Sequence, residues 1–329
     1  MRTPFFSVGI SVYNAEPFIS QTIDSILNQT YDDWELILVD DCSTDNSWAI
    51  LQEYARKYSN VLVFQTSSNT GGARGPFDIA MSKASGEYCL EIGHDDQLTC
   101  TYLEQIKKRI EETNADVIVS RNIVRDAETK ELQQILPRED VDVTKIYSGR
   151  EACLLTLPSW RLGANGMAYK RCLYQHVIKE NTSTYMNADE LSSRIILIHA
   201  QYVAFSDAEY TYWQLDSSVT HKLSIRLFEG LYLFNELINF AETYFDKSCL
   251  QPLCQSYLCN LIVLQKKFFT KREILTASAK ERVQFVLEDN FRLFKKHGDM
   301  LESLSAKIYG ANYALLKFFC FIKTKISNK

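Results

Sequence analysis

The chain has no C-x-x-C pair among its nine cysteines, no uncharged apolar run of about 18 residues, no G-x-G-x-x-G and no G-x-x-x-x-G-K-[ST]. The first absence excludes the tight spacing of a zinc ribbon or a small disulfide framework. The thiols at 42, 89, 100, 153, 172, 249, 254, 259 and 320 are odd in number and read as reduced, mostly packed groups in a reducing compartment. The second excludes a membrane-spanning helix. The third and fourth argue against a dinucleotide-binding dehydrogenase and a P-loop nucleotidase. No internal repeat or low-complexity tract is evident. Met1-Arg2-Thr3-Pro4 passes straight into a strand pattern without a signal-peptide core, so a cytoplasmic chain is expected.

Hydrophobic residues make up 46% of the 329 residues and aromatics 12%, which is enough to bury the core of a folded protein. Charge is uneven. Residues 1–100 hold 14 Asp and Glu against 5 Lys and Arg, although the net charge of the chain is only -5. An acidic first third suits a divalent cation. The more basic remainder does not resemble a nucleic-acid module, so no nucleic-acid partner is expected.

The N-terminal segment alternates strand and helix patterns. Strands are expected at 5–12, 34–39, 61–65 and 88–92. The helices between them carry Ile19, Ile23, Ile26 and Leu27, then Leu51, Tyr54, Ala55 and Tyr58, then Ala73, Phe77, Ala80 and Met81, each set on one face. Repeated β-α units imply a parallel sheet with right-handed crossovers. Leu103, Ile106 and Ile110 mark a further helix, and 117–119 a further strand. Residues 126–143 read as a charged surface excursion, and a helix starts near Asp189 with Leu191, Ile195 and Ile198 on one side. Beyond His221 the pattern is helical. The expected division is 1–100 and 101–221 as two halves of one α/β domain, with 222–329 as a helical appendage.

Two acidic pairs sit at expected strand ends, Asp40-Asp41 after ELILV and Asp95-Asp96 after YCLEIGH. Ligands of open α/β sheets bind beyond the carboxyl ends of the strands, so acids there face a ligand. Carboxylates at such a place suit Mg²⁺ or Mn²⁺ shared with a diphosphate. Each pair also has a plainer reading as a solvated turn or helix cap. Arg74, after Gly71-Gly72, could meet an anion at a helix N-terminus or be an ordinary surface arginine. Asp189-Glu190 could simply complement a helix dipole, or Asp189 could be a general base. His199 reads as structural and His94 as lining. His221 could close over phosphates, bind the metal, or be a plain loop histidine.

These segments resemble the family 2 glycosyltransferases of the GT-A fold. The resemblance is carried by SVGISVYNAEPFISQTIDSILNQTYDDWELILVDDCSTDNS at 7–47, NTGGARG at 69–75, SGEYCLEIGHDDQL at 85–98, NADELSSR at 187–194 and YTYWQLDSSVTH at 210–221. It implies a Rossmann-like, mostly parallel sheet and an inverting, Mn²⁺- or Mg²⁺-dependent transfer from a nucleotide-diphosphate sugar, UDP-linked for preference. The acceptor would be a glycan or lipid-linked hydroxyl in bacterial capsule, lipopolysaccharide or other surface polysaccharide synthesis, met at the inner face of the plasma membrane. By resemblance Ser11, Tyr13 and Asp41 would line the nucleobase pocket, Arg74 would lie near the nucleotide and Asp95 near the ribose or a metal-bound water. Asp96 would be the direct metal ligand, Asp189 the catalytic base and Arg194 its trailing arginine. Three departures stand out: Gly93 where the family often has an acid in D-x-D-D, Ala188 for the usual glutamate, and 163–171 as an acceptor-type segment lacking its first lysine.

Two other readings remain at this point. A non-catalytic sugar-nucleotide binder would bind donor without hydrolysing it, and a nucleotide-dependent dehydrogenase would bind nicotinamide. From 303 to 329 there are five lysines and no acid among many apolar residues. That stretch is either a helix packed on the protein or a cationic helix lying on an anionic membrane.

Overall fold

A computed structural model describes residues 3–157, 159–183, 187–215, 223–301 and 312–327, with backbone alone at 298–299 and 322–327. The chain forms two compact units, Met1–Thr184 with Ser192–Asp216, and Tyr185–Leu191 with Ser217–Lys329.

The first unit is built on a nine-stranded sheet. In chain order its strands are β1 (Phe6–Val12), β2 (Trp34–Asp40), β3 (Val61–Gln65), β4 (Tyr88–Gly93), β5 (Gln97–Leu98), β6 (Val117–Asp126), β7 (Leu132–Leu136), β8 (Ala168–Lys170) and β9 (Val203–Gln214). The spatial order is β3-β2-β1-β4-β8-β6-β9-β5, with β7 beside β6. β1–β2, β2–β3, β1–β4 and β6–β9 pair parallel, while β8, β7 and β5 join antiparallel, so the sheet is mixed.

All seven residues of β1 are buried, as a near-continuous apolar run in a strand covered on both faces requires. The helices α1 (Ile19–Leu27), α2 (Ser47–Lys57), α3 (Arg74–Lys83) and α4 (Tyr102–Thr113) supply the cover. Ile19, Ile23 and Ile26 of α1 and Leu103, Ile106 and Ile110 of α4 turn inward at helical spacing. Each such side chain contributes about 1.5–3 kcal/mol by leaving water. Register then sets the site: Val12 pairs with Asp40 and Ser11 with Gly93, so β1, β2 and β4 end at one edge.

The sheet departs from expectation on its far side. β6 is ten residues long rather than three, β9 runs twelve residues, and the supposed excursion contains β7, paired to Asn122–Arg125. β7 is an edge strand whose residues are all at least partly exposed, so no alternating apolar pattern marks it. Three short helices follow in this stretch, α5 (Gly149–Leu154), α6 (Tyr174–Glu180) and the longer α7 (Ala188–His199), which begins in Tyr185–Leu191 and continues past Ser192.

The second unit is helical, with α8 (Ile225–Glu229), α9 (Tyr232–Tyr244), α10 (Leu250–Lys271), α11 (Ala277–Phe294) and α12 (Tyr313–Ser327). Its core gathers Leu237 and Ile238 of α9, Leu253, Tyr257 and Leu261 of α10, and Val283, Leu287 and Phe294 of α11. The buried Tyr257 hydroxyl donates to Asn290 Oδ1 at 2.7 Å, which satisfies a polar group inside that core. No described helix is long and apolar enough to cross a membrane. All nine cysteines are free thiols; four are buried and three, Cys100, Cys172 and Cys259, are exposed.

Candidate active site

The loops after β1 and β2 are stitched together by short polar side chains. Thr44 N donates to Asn14 Oδ1 at 2.7 Å, Asn14 N to Ser43 Oγ at 2.9 Å and Ala15 N to Ser47 Oγ at 2.8 Å. Glu16 accepts from Asn46 N and Nδ2 at 3.1 and 2.7 Å, while its own amide donates to Asp45. Asn14 and Cys42 take left-handed backbone angles, φ 48° and 57°, to make these turns. Ser11 is buried behind them and Tyr13 is 42% exposed at the rim.

Asp40 ends β2, Asp41 follows it, and both are buried. The Asp41 carboxylate gathers the loop between β3 and α3: Oδ1 accepts from Thr66 Oγ1 and Thr70 N, each at 2.9 Å, and Oδ2 from Thr70 N and Oγ1 at 3.0 and 2.9 Å. Its backbone carbonyl accepts from Asn69 Nδ2 at 3.1 Å. A loop tied at two residues to one carboxylate, and at a third to the backbone carbonyl behind it, is held against the strand ends. Asp40 Oδ2 accepts from Ser43 N and Gln65 Nε2, whereas Oδ1 is buried without a donor among the described residues.

Asp96 is 2% exposed. Its Oδ2 accepts from the Tyr210 hydroxyl at 2.5 Å and its Oδ1 from Trp213 N at 3.0 Å, both on β9. Burial, and then the charge of neighbouring Asp95, push its carboxyl up to about 8. Burial also holds the Tyr210 hydroxyl well above its usual range, so it stays a donor. Gly93 is crowded by the acidic turn that follows it. A Cβ there would overlap Asp96 Oδ2 and stand 3.2 Å from Asp95 Oδ1, so a side chain at 93 would have to displace the Asp96 carboxyl. His94 is fixed by Nδ1, which donates to Ser11 O at 3.2 Å.

Ser11, Tyr13, Asp41, Asp95 and Asp96 therefore stand at one edge of the sheet. Arg74 is committed along its own helix: Nε donates to both Asp78 oxygens at 2.8 and 2.9 Å, and Tyr174 also donates to Asp78. Its buried Nη1 has no acceptor among the described residues. Asp189 is exposed in the first turn of α7. Arg194, five residues on, is 1% exposed and donates to Thr156 Oγ1 and O at 3.1 and 3.0 Å under the Trp160 ring, a structural placement. The acceptor-type segment becomes β8 and its approach, with Met167, Ala168 and Tyr169 buried and Lys170 paired to Asp116 at 2.8 Å. His199 accompanies Glu180 at 2.6 Å and stacks on His176 at 3.7 Å between centroids. His221 lies outside the described residues. Sequence reasoning missed Tyr210, Trp213, Thr66 and Thr70; the only trace was the aromatic run YTYWQ.

The donor set at 95–96 fits a hard divalent cation. Two adjacent carboxyls, one dry enough to be driven toward neutrality, are relieved when a cation offsets their charge. Asp96 keeps acceptor capacity on both oxygens beside the bonds from Tyr210 and Trp213.

Residues 7–172 match the profile of Glycosyl transferase family 2. Over 117 residues the chain is 39% identical to a poly(ribitol-phosphate) beta-glucosyltransferase of Bacillus spizizenii, covering 35% of this chain and 18% of that protein. Over 274 residues it is 28% identical to a cholesterol galactosyltransferase of Borreliella burgdorferi, covering 80% and 72%. The chain thus spans about a fifth of the length of the poly(ribitol-phosphate) transferases it matches. The crystal structure of S. aureus TarS 1-349 in complex with UDP-GlcNAc superposes with a TM-score of 0.69 at 18% identity, covering 98% of this chain and 91% of that one. That likeness shows the fold, and the profile match over half the chain shows the lineage: the chain belongs to glycosyl transferase family 2.

Proposed function

We propose that the chain is an inverting glycosyltransferase that takes a sugar from a nucleotide-diphosphate donor, UDP-linked, and places it on a hydroxyl of a bacterial surface glycan. The observation that carries this reading is the pair of acidic strand ends, β2 and β4, brought to one edge by the register of β1. Ser11, Tyr13 and Asp41 line the nucleobase side, with Asp41 acting chiefly by holding the 66–70 loop in place. Arg74, its Nε held by Asp78, is assigned to the neighbourhood of the nucleotide. Asp96, with Asp95 beside it, would hold the Mn²⁺ or Mg²⁺ whose charge offsets that building on the departing diphosphate. His221 is retained as a second candidate for the metal or the phosphates.

Asp189 takes the proton of the acceptor hydroxyl as that oxygen attacks C1 from the face opposite the diphosphate. The new C1–O bond forms while the bond from C1 to the diphosphate oxygen breaks, and the electron pair leaves with the nucleotide. One displacement inverts C1. Named relatives act on poly(ribitol-phosphate), which supports a polymer or lipid-linked acceptor met at the inner face of the plasma membrane.

The test is sugar release from UDP-sugars with Mn²⁺, for wild type, Asp96→Asn and Asp189→Asn. Losing a positioned base lowers the rate by roughly 10²–10⁴. Folded variants that transfer at the wild-type rate would overturn the assignment.

A further inference from the structure

The last helix is both packed and left apolar outside. On its inner face Leu316 is 1% and Cys320 0% exposed. Cys320 Sγ donates to Ile262 O of α10 at 3.8 Å, the Tyr313 hydroxyl donates to Gln265 at 2.8 Å, and the Tyr313 ring sits 5.1 Å from Phe291 of α11. On the other side Leu315 is 44%, Phe318 61% and Phe321 46% exposed. Their spacing of three places them along one stripe of a helix. Val263 of α10 is also 57% exposed. A water-facing helix surface is normally polar, so Leu315 and Phe318, two large apolar side chains on it, call for a partner.

The surrounding charge selects the partner. Residues 222–329 carry 17 Lys and Arg against 10 Asp and Glu, and 303–329 carry five lysines and no acid. Lys266 Nζ lies 5.7 Å from the Phe319 ring, and Lys266, Lys267 and Lys271 of α10 have no ion-pair partner among the described residues. Long lysine stems beside exposed aromatics suit a surface that is apolar below and anionic above. We infer that the outer face of α12, centred on Leu315 and Phe318, is a docking face for an anionic lipid bilayer, with the helix lying in the interface. The inference deepens the proposed function by naming the surface that brings the chain to a membrane-bound acceptor, and it rests on that reading only for its purpose.

The experiment is sedimentation of the full chain with phosphatidylglycerol-containing vesicles, with pure phosphatidylcholine vesicles, and without lipid. Leu315→Ser with Phe318→Ser is the variant of choice, because it leaves the Phe269–Phe321 contact in place. Wild type should sediment with anionic vesicles, at least about tenfold more than with neutral ones and less in high salt, and the double variant should lose about tenfold of that partition. Circular dichroism and UDP-sugar binding of the variant should match wild type. Equal sedimentation of both proteins overturns the inference. So does a wild-type dimer in solution that the variant converts to monomer without any vesicle binding. Vesicle binding by a chain that binds no sugar nucleotide would sink the functional reading and leave this one standing.

Discussion

The Tyr210 hydroxyl lies 2.5 Å from Asp96 Oδ2 and accepts at 3.1 Å from Gly93 N, so one phenol links the end of β4 to the carboxylate three residues later. β5 makes this possible by pairing Leu98 with Tyr210, which lays the acidic turn against β9.

Replacing Tyr210 with Phe leaves a buried carboxylate oxygen and a backbone amide each short of a partner. The expected loss is about 1–3 kcal/mol of folding stability, read by urea unfolding. Transfer should fall further than stability explains, because the carboxylate loses the donor that sets its orientation. A Tyr210→Phe enzyme with unaltered metal dependence would show that the phenol is incidental.

At position 93, adding a side chain should harm this chain. The built Cβ overlaps Asp96, itself held from two sides, so Gly93→Ala should cost about 1–3 kcal/mol and Gly93→Asp at least as much. Thermal melting settles the matter; an unchanged or raised melting temperature contradicts the crowding.

Asp96 makes stability depend on pH in an unusual direction. Its carboxyl titrates near 8 in the fold against 3.8 for the free group, so the folded state binds the extra proton between those values. Its contribution is complete below about 4 and disappears as pH rises through about 8. Metal-free wild type should therefore lose stability relative to Asp96→Asn between pH 5 and 9. Added Mn²⁺ should reverse the trend, since it favours the ionised carboxyl, and binding should release a proton to buffer. Parallel curves for the two proteins across that range would contradict the burial argument.

Thr70→Val removes the hydroxyl bond to Asp41 and keeps the bond from the backbone amide. Stability should fall by about 1 kcal/mol. On the proposed reading, in which the loop positions the donor and does not react, the apparent affinity for the sugar nucleotide should drop several-fold with a smaller change in turnover. A change in turnover alone would argue for another role.

The N-terminal half was legible because each strand there is followed by a helix with a clean apolar stripe, as with Ile19, Ile23 and Ile26. The far side was not. β7 has no buried face to reveal it, and β9 joins β6 in parallel after about 80 intervening residues, a pairing that local periodicity does not encode. The same distance hid the partners of Asp96: Tyr210 and Trp213 are 114 and 117 residues away, and β8 and β6 separate β4 from β9 in the sheet. Arg74 was legible as a helix-start arginine, and its pairing with Asp78 follows the i,i+4 spacing of a helix, a signal the reading for a bound anion did not use. Asp41 was read as a ligand contact, whereas its oxygens also organise a loop whose threonines carried no signal of their own.

The stitching of Asn14, Glu16, Ser43, Asp45 and Asn46 bears on the thermodynamics of recognition. A wall already ordered by its own polar contacts forfeits little chain entropy when a guest arrives, so calorimetry should find a small heat-capacity change and an enthalpy-led signature. Cutting one stitch, for instance with Asn46→Ala, should weaken association mainly through the entropy of settling the wall.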